Sequence, residues 1–135
     1  MFINKSLTFI SLNNITLTMS KDNGASSFVL VMGNTPFVRV VDFLLENRPF
    51  DYSKTEIARN AEVGWSTLHG MWKALEKNQI VKQVRVVGKS QMYRLNEENA
   101  VVGKLIELDA KITEMYADKV AKEELRVPIQ IKQRK

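Results

Sequence analysis

The stretch from Ser53 to Asn78, SKTEIARNAEVGWSTLHGMWKALEKN, constrains the fold of this chain more than any other. It is typical of two short helices joined by a tight turn. Ser53 and Glu56 have the spacing of a capping box, in which each side chain accepts a hydrogen bond from the other residue's backbone N–H. Val63 and Gly64 supply the turn, and we expect Gly64 to take a backbone conformation that a side chain would resist. The first helix has a narrow apolar face: Ile57, Ala58 and Ala61.

The second helix has two chemically different faces. Its large apolar residues are separated by four and then three positions, which is helical periodicity: Leu68, Trp72 and Leu75. The other side carries mainly small, polar and basic groups: Trp65, Ser66, Thr67, His69, Gly70 and Lys73. Two helices with a short turn, the second bearing such a face, are typical of a helix-turn-helix, which places its second helix in a DNA major groove.

A β-hairpin pattern follows directly. Residues 80–87 are rich in β-branched side chains, Gly88-Lys89-Ser90 forms a turn, and residues 92–95 belong to a returning strand. Lys89 in the turn, with Arg85 and Arg94 on the strands, can reach phosphates or an adjacent minor groove.

Two runs in this region carry a family resemblance. They are E-I-A-x-x-x-x-V-x-x-S-T-L, from Glu56 to Leu68, and A-L-E-K-N-x-I-V, from Ala74 to Val81. Together they resemble the winged helix-turn-helix regulators, and the ArsR-like kind found in archaea matches best, over about residues 35–96. The resemblance implies that the second helix is the recognition helix and that the hairpin is the wing.

Positive charge is concentrated in the same region. The chain has a net charge of +5 over 135 residues, and residues 63–96 hold six basic side chains against the single acid Glu76. Such a concentration is the electrostatic pattern expected of a surface that binds phosphates, although a solvated lysine-rich surface would look the same.

The composition excludes several kinds of function. The chain has no cysteine and one histidine, so thiolate zinc sites, disulfide scaffolds and the usual nucleophile–base pairs are excluded. No apolar run approaches the ~20 residues that span a bilayer. We expect a cytoplasmic protein that is not an enzyme, needs no cofactor or metal and does not bind membranes.

The N-terminal residues show weaker patterns. Apolar and polar residues alternate in residues 1–20, as they do in a strand or hairpin. Two interpretations fit these residues. Met19 is the natural start and the first 18 residues are an upstream extension, or the first 18 residues form a poorly ordered arm. The segment 26–32 favours a helical turn that Gly33-Asn34 ends. Thr35 is expected to cap the next helix, with Pro36 as the first helical residue. Beyond this helix, a short strand is expected at Phe50 to Tyr52. The buried stripe of that helix is expected to be Phe37, Val40, Val41, Leu44 and Leu45.

A long helix is expected from Glu97 to Glu124, with Asn96 as its cap and Pro128 ending any helix before a basic tail. Five apolar positions spaced 4-3-4-3 form a seam with the coiled-coil period: Val101, Leu105, Leu108, Ile112 and Met115. Two arrangements fit this seam. It forms a two-fold dimer, which we favour, or it packs on the first helix of its own chain.

The sequence therefore predicts a mainly α fold with a small β-hairpin wing (α+β) and a long C-terminal helix. The expected divisions are an N-terminal extension, in part disordered (1–34), the winged domain (35–96), a dimerisation helix (97–125) and a basic tail (126–135). The expected function is sequence-specific binding of double-stranded DNA by a homodimeric transcriptional regulator, with Lys54 and Thr55 on phosphates. The alternative is a winged-helix module that docks on a protein in a larger assembly.

Overall fold

Seven helices and strands make up the fold of residues 24–134, which the computed structural model describes, with side chains through residue 125. The expectations for residues 1–20 lie outside the described residues. The elements are α1 (Ser27–Met32), α2 (Pro36–Glu46), α3 (Lys54–Ala61), α4 (Trp65–Lys77), β1 (Val81–Val87), β2 (Ser90–Leu95) and α5 (Ala100–Arg134).

Side-chain caps set the starts of the helices. Thr35 accepts a hydrogen bond from the backbone N–H of Val38, and Pro36 is the first residue of α2, as the sequence predicts. The capping box of α3 is also confirmed: the backbone N–H of Glu56 donates to the Ser53 hydroxyl at 3.2 Å, and the Ser53 N–H donates to the Glu56 carboxylate at 2.8 Å. These bonds satisfy amide donors that the helix itself leaves unpaired.

A single hydrophobic core joins all the elements. The apolar face predicted for α4 is confirmed, since Leu68, Trp72 and Leu75 are buried. The prediction for α2 was wrong at Phe37, whose side chain is 50% exposed. The buried residues of α2 begin only at Val40, so Phe37 lies in the first turn, before the helix reaches the core. The largest fully buried side chains come from α1, α2, α3, α4, β2 and α5: Trp72, Phe28, Phe43, Ile57, Leu68, Leu95, Val40 and Val102.

The turn between α3 and α4 is built differently from the sequence prediction. Gly64 has φ −63° and ψ 150°, an extended conformation open to any residue, and it is the N-cap of α4. The left-handed residue is Glu62, with φ 56° and ψ 50°. Arg39 of α2 holds this corner, since its guanidinium donates to the carbonyls of Ala61 at 3.0 Å and Glu62 at 3.1 Å.

The hairpin contains a β-bulge. Gln83 pairs with Tyr93 and Arg85 pairs with Met92, so Val84 is an extra residue in β1. Tyr52 forms an isolated antiparallel bridge with Tyr93, with backbone hydrogen bonds of 2.9 and 2.8 Å. Of the short strand expected at Phe50 to Tyr52, only Tyr52 pairs in this way, so the expectation holds for one residue.

Helix α5 begins later and ends later than predicted. Asn99, and not Asn96, caps its start: the Asn99 side-chain oxygen accepts from the N–H of Val101 at 2.9 Å. Asn96 instead donates to the Gln79 carbonyl at 3.1 Å. The helix also continues past Pro128 to Arg134. Proline removes one backbone hydrogen bond but does not prevent the next residues from being helical, so the expectation that it ends the helix was wrong.

One face of α5 packs on its own chain and an adjacent stripe does not. Val102 and Ile112 are buried in the core, and Leu105, Ile106 and Tyr116 are half-buried against it. The main contacts of this face are with α1, which precedes the first helix of the winged domain. Three members of the predicted seam stay exposed at intervals of seven residues: Val101, Leu108 and Met115.

Asn99 is expected to be important for stability because it joins two helix ends. Besides capping α5, its side-chain amide donates to the carbonyls of Asn78 at 3.0 Å and Gln79 at 2.8 Å, at the end of α4. Asn99→Ala should lower the free energy of unfolding by about 1–2 kcal/mol in urea titration. Asn60→Ala, which removes one hydrogen bond within α3, is the control with a smaller loss. Equal losses would contradict the joining role.

Candidate nucleic-acid interface

The outer face of α4 carries the residues that the sequence assigns to base contact. All six residues are exposed, and none of them turns into the core: Trp65, Ser66, Thr67, His69, Gly70 and Lys73. Trp65 is 51% exposed. Its ring stacks on the His69 ring one turn later, with centroids 5.9 Å apart and planes 29° from parallel. The structure therefore brings these residues together on one helix face.

Lys54 lies where three elements meet. Its ammonium is 5.6 Å from the centroid of the Trp72 ring on α4 and 5.5 Å from that of the Tyr93 ring on β2. Such cation–π contacts hold the lysine at the junction of α3, α4 and the hairpin without neutralising its charge. Burial raises the pKa of the Tyr93 hydroxyl above its ordinary value of 10.0.

A small cleft of about 150 Å³ opens between the start of α3 and β2. The first backbone N–H groups of α3 have no partner within the helix, which makes such a helix start a good site for an anion. The residues that line the cleft are Ser53, Lys54, Thr55, Ser90, Gln91 and Tyr93. Sequence reasoning missed Ser90 and Gln91; the alternation of β2 could have indicated Gln91, which shares a strand face with Tyr93.

Lys89 is at the tip of the hairpin and is exposed. The turn consists of Gly88 and Lys89, and Val87 pairs with Ser90 to close it. Gly88 has φ 60°, which glycine adopts without a steric penalty. Lys89 is thus held at the end of a paired ribbon and not within a long loop.

Arg85 and Arg94 lie on the opposite strand face from Tyr93. Arg94 pairs with Lys82, and Arg85 pairs with Met92, so these side chains share the face that points away from α4. The bulge at Val84 causes this placement for Arg85, because an extra residue moves the following side chains to the other face.

Both arginines have partners within the protein. The Arg85 guanidinium forms a two-bond pair with the Asp51 carboxylate, at 2.6 and 3.1 Å. These hydrogen bonds hold the pKa of Asp51 below its usual 3.8. Arg94 donates to the Pro49 carbonyl at 3.1 Å. The concentration of charge in residues 63–96 is therefore partly offset by an acid outside that range, which a count along the sequence misses.

Clusters of metal ligands and membrane-spanning helices are absent from the part of the chain that the structure describes. No cluster of three or more potential ligand side chains (His, Cys, Asp or Glu) is found among residues 24–125, whose side chains are described. Within the same range, none of the helices combines the length and apolar character needed to cross a bilayer.

Comparison with known proteins relates the chain to solved structures only. No protein-family model matches the sequence, and no curated protein is significantly similar to it. The structure of Lactococcus lactis ZitR, a C30AH42A mutant in apo form, is similar with a TM-score of 0.53 and 13% identity, over 90% of this chain and 94% of that one. MepR, a transcription regulator of the Staphylococcus aureus multidrug efflux pump MepA, is similar with a TM-score of 0.51 and 12% identity, over 70% and 71% of the two chains.

These similarities concern the fold, since the identities are low. The helix pair α3–α4, the antiparallel hairpin directly after it and the long α5 occur in the predicted order. The chain therefore has the winged helix-turn-helix fold, mainly α with a two-stranded wing and a long C-terminal helix.

Proposed function

We propose that this protein is a cytoplasmic, sequence-specific regulator of transcription that binds double-stranded DNA as a homodimer. In this proposal it is of the ArsR-like kind, α4 lies in the major groove and the wing lies on the backbone or in the minor groove. The observation that carries the proposal is the position of Lys54 between the Trp72 and Tyr93 rings, because it unites the start of α3, the recognition helix and the wing.

Each part of this surface has a distinct role in the proposal. The cleft at Lys54 and Thr55 holds a backbone phosphate and sets the register of the protein on the duplex. Lys89 contacts phosphates beside the recognition helix. The exposed face of α4 meets base edges: Trp65, Ser66, Thr67, His69, Gly70 and Lys73. Arg85 and Arg94 contribute from the far face of the wing, where Asp51 offsets the charge of Arg85.

The dimer in this proposal is formed through α5. The exposed stripe of Val101, Leu108 and Met115 repeats every seven residues, and it adjoins Leu105 and Ile112, which face the core. A repeat of seven keeps a stripe facing the same partner along two helices that wind around each other. A second copy of α5 is therefore the proposed occupant, and two recognition helices would then meet half-sites one helical turn (~34–36 Å) apart.

The alternative is a winged-helix module that docks on another protein. It is supported by the free edge of the wing: in the described residues β1 pairs only with β2, and three of its valines are exposed, Val84, Val86 and Val87. An exposed strand edge can pair with a strand of another chain. The lysines on α4 and at the wing tip favour DNA, because protein interfaces are depleted in lysine.

Selection of bound duplexes from a random pool tests the proposal. We expect one enriched sequence with two half-sites, and an affinity for it that falls steeply with salt because bound phosphates release counterions. Lys89→Ala should weaken binding to all sequences and lower the salt slope by about one unit. Lys122→Ala, an exposed lysine on α5, is the control with an unchanged slope. If no duplex is retained and a protein partner binds independently of salt, the docking alternative replaces the proposal.

Removing the carboxylate that pairs with Arg85 should strengthen non-specific DNA binding. Asp51→Asn frees the guanidinium, so we expect the salt slope on random duplex to rise by about one unit. Lys104 has a similar partner on α5, in Glu107, and Glu107→Gln is the matched control. An unchanged slope in Asp51→Asn would show that Arg85 does not reach phosphates.

The same pair gives the fold a pH dependence at low pH. The pKa of Asp51 is lower in the folded protein than its usual 3.8. Its stabilising contribution is therefore complete above about pH 4–5 and is lost as the pH falls through the lowered pKa.

A further inference from the structure

The base-reading face of α4 has few groups that form paired hydrogen bonds with a base. The side chains that read guanine or adenine through two hydrogen bonds are arginine, lysine, asparagine and glutamine. None of these occurs among residues 65–70, and the first lysine of the helix is Lys73. The N-terminal part of a recognition helix is the part that contacts base edges. Here that part offers the bases mainly hydroxyl groups and one aromatic pair.

The aromatic pair is the main feature of this surface. Trp65 is half exposed at the first position of α4, although Leu68 and Trp72 in the same helix are buried. Stacking on His69 holds the Trp65 ring along the helix, with the ring planes 29° from parallel. The two rings therefore form an ordered aromatic surface that faces solvent, and the Trp65 ring is its apolar part. The major groove has one apolar group of its own, the 5-methyl group of thymine.

Gly70 allows this surface to come close to the bases. A Cβ added at Gly70 would have no atom within 4 Å, so the packing of the protein does not require glycine there. Glycine within a helix costs up to about 1 kcal/mol relative to alanine. The missing side chain leaves the backbone of α4 uncovered next to His69, on the same exposed side of the helix that carries Trp65.

We propose that the Trp65–His69 pair recognises thymine through its 5-methyl group, so that an apolar contact supplies part of the sequence preference of this helix. The inference rests on the proposed function, since it places the pair in a major groove. It predicts that the preferred duplex has a thymine at a fixed position of each half-site whose methyl group, and not its hydrogen-bonding edge, is read.

Deoxyuridine provides the test, because it lacks the methyl group and keeps every hydrogen-bonding group of thymine. Each thymine of the selected duplex is replaced in turn, and the affinity of the full-length protein is measured at one salt concentration. We expect one position per half-site to lose about four-fold in affinity, which corresponds to about 0.8 kcal/mol for one buried methyl group. Changing both half-sites should multiply the two losses.

Trp65→Ala identifies the side chain that makes the contact. In this variant the thymine and deoxyuridine duplexes should bind equally, because the partner of the methyl group is gone. Phe37→Ala removes a ring of similar exposure from α2 and should keep the full four-fold difference. The inference is overturned if the selected duplex binds but no deoxyuridine position matters, or if the difference persists in Trp65→Ala. If no duplex is bound at all, the proposed function fails and the inference fails with it.

Discussion

Replacing Trp72 with alanine is expected to lower the free energy of unfolding by about 3–5 kcal/mol, the range for a large buried aromatic side chain. Trp72 is 1% exposed, its ring meets that of Tyr93 edge to face at 5.1 Å, and Lys54 lies over it. The loss therefore includes the contact between α4 and the wing. In a domain of marginal stability this is a large share of the total, and the melting temperature should fall by roughly 10–20 °C.

The second tryptophan provides a matched control. Trp65→Ala removes the same side chain from an exposed position and should change the stability by no more than about 0.5 kcal/mol. Trp72→Phe keeps much of the packing and should give an intermediate loss, which remains measurable if Trp72→Ala does not fold. A cost for Trp65→Ala equal to that of Trp72→Ala would contradict the arrangement of α4 described above.

The parts of the fold that depend on local chemistry could be predicted from the sequence. The spacing of Leu68, Trp72 and Leu75 is sufficient to identify the buried side of α4, because a helix repeats every 3.6 residues. The capping box of Ser53 and Glu56 was equally clear, since both partners lie within four positions. In these cases the contacts that decide the structure are local in the chain.

The corrections concern contacts between distant residues. The bulge at Val84 shifts Arg85 to the other strand face, and Asp51, 34 residues away, then pairs with it. Similarly, the left-handed conformation falls on Glu62 and not on Gly64, where Arg39 of another helix bonds to the corner. Neither feature has a short sequence pattern of its own, so composition and spacing alone place the charge incorrectly.

Helix α5 shows why the two arrangements of its seam could not be separated in advance. Val101 lies four positions before Leu105 and Val102 lies three positions before it, so both valines fit an apolar repeat that continues through Leu105. The structure divides the seam: Ile112 is buried against the chain itself, whereas Leu108 remains 39% exposed. Packing within the chain is therefore observed, and the proposed dimer uses the adjacent stripe.

Placing two charges on that stripe should have the largest effect on DNA binding. Leu108→Asp combined with Met115→Asp puts carboxylates where the proposed helix pair is apolar, so we expect a monomer on sizing. Binding to a duplex with two half-sites should then fall by about 10²-fold or more, because the second contact no longer benefits from linkage. Binding to a single half-site should stay within about two-fold, since the helix-turn-helix itself is unchanged.

The fold must survive this change for the result to have meaning, and the exposure of the two residues indicates that it does. Leu108 and Met115 are 39% and 42% exposed, so the double variant should keep the far-ultraviolet circular dichroism spectrum of the unchanged protein. Its melting temperature should equal that of the unchanged protein extrapolated to low protein concentration, where a dimer no longer adds stability. Ala110→Asp, at an exposed position on the other side of α5, should leave the dimer intact. Ile112→Asp should unfold the protein, because this side chain is 5% exposed within the core. A double variant that still forms a dimer, or an unchanged protein that is monomeric on sizing and on DNA, would show that α5 does not join two copies through this stripe.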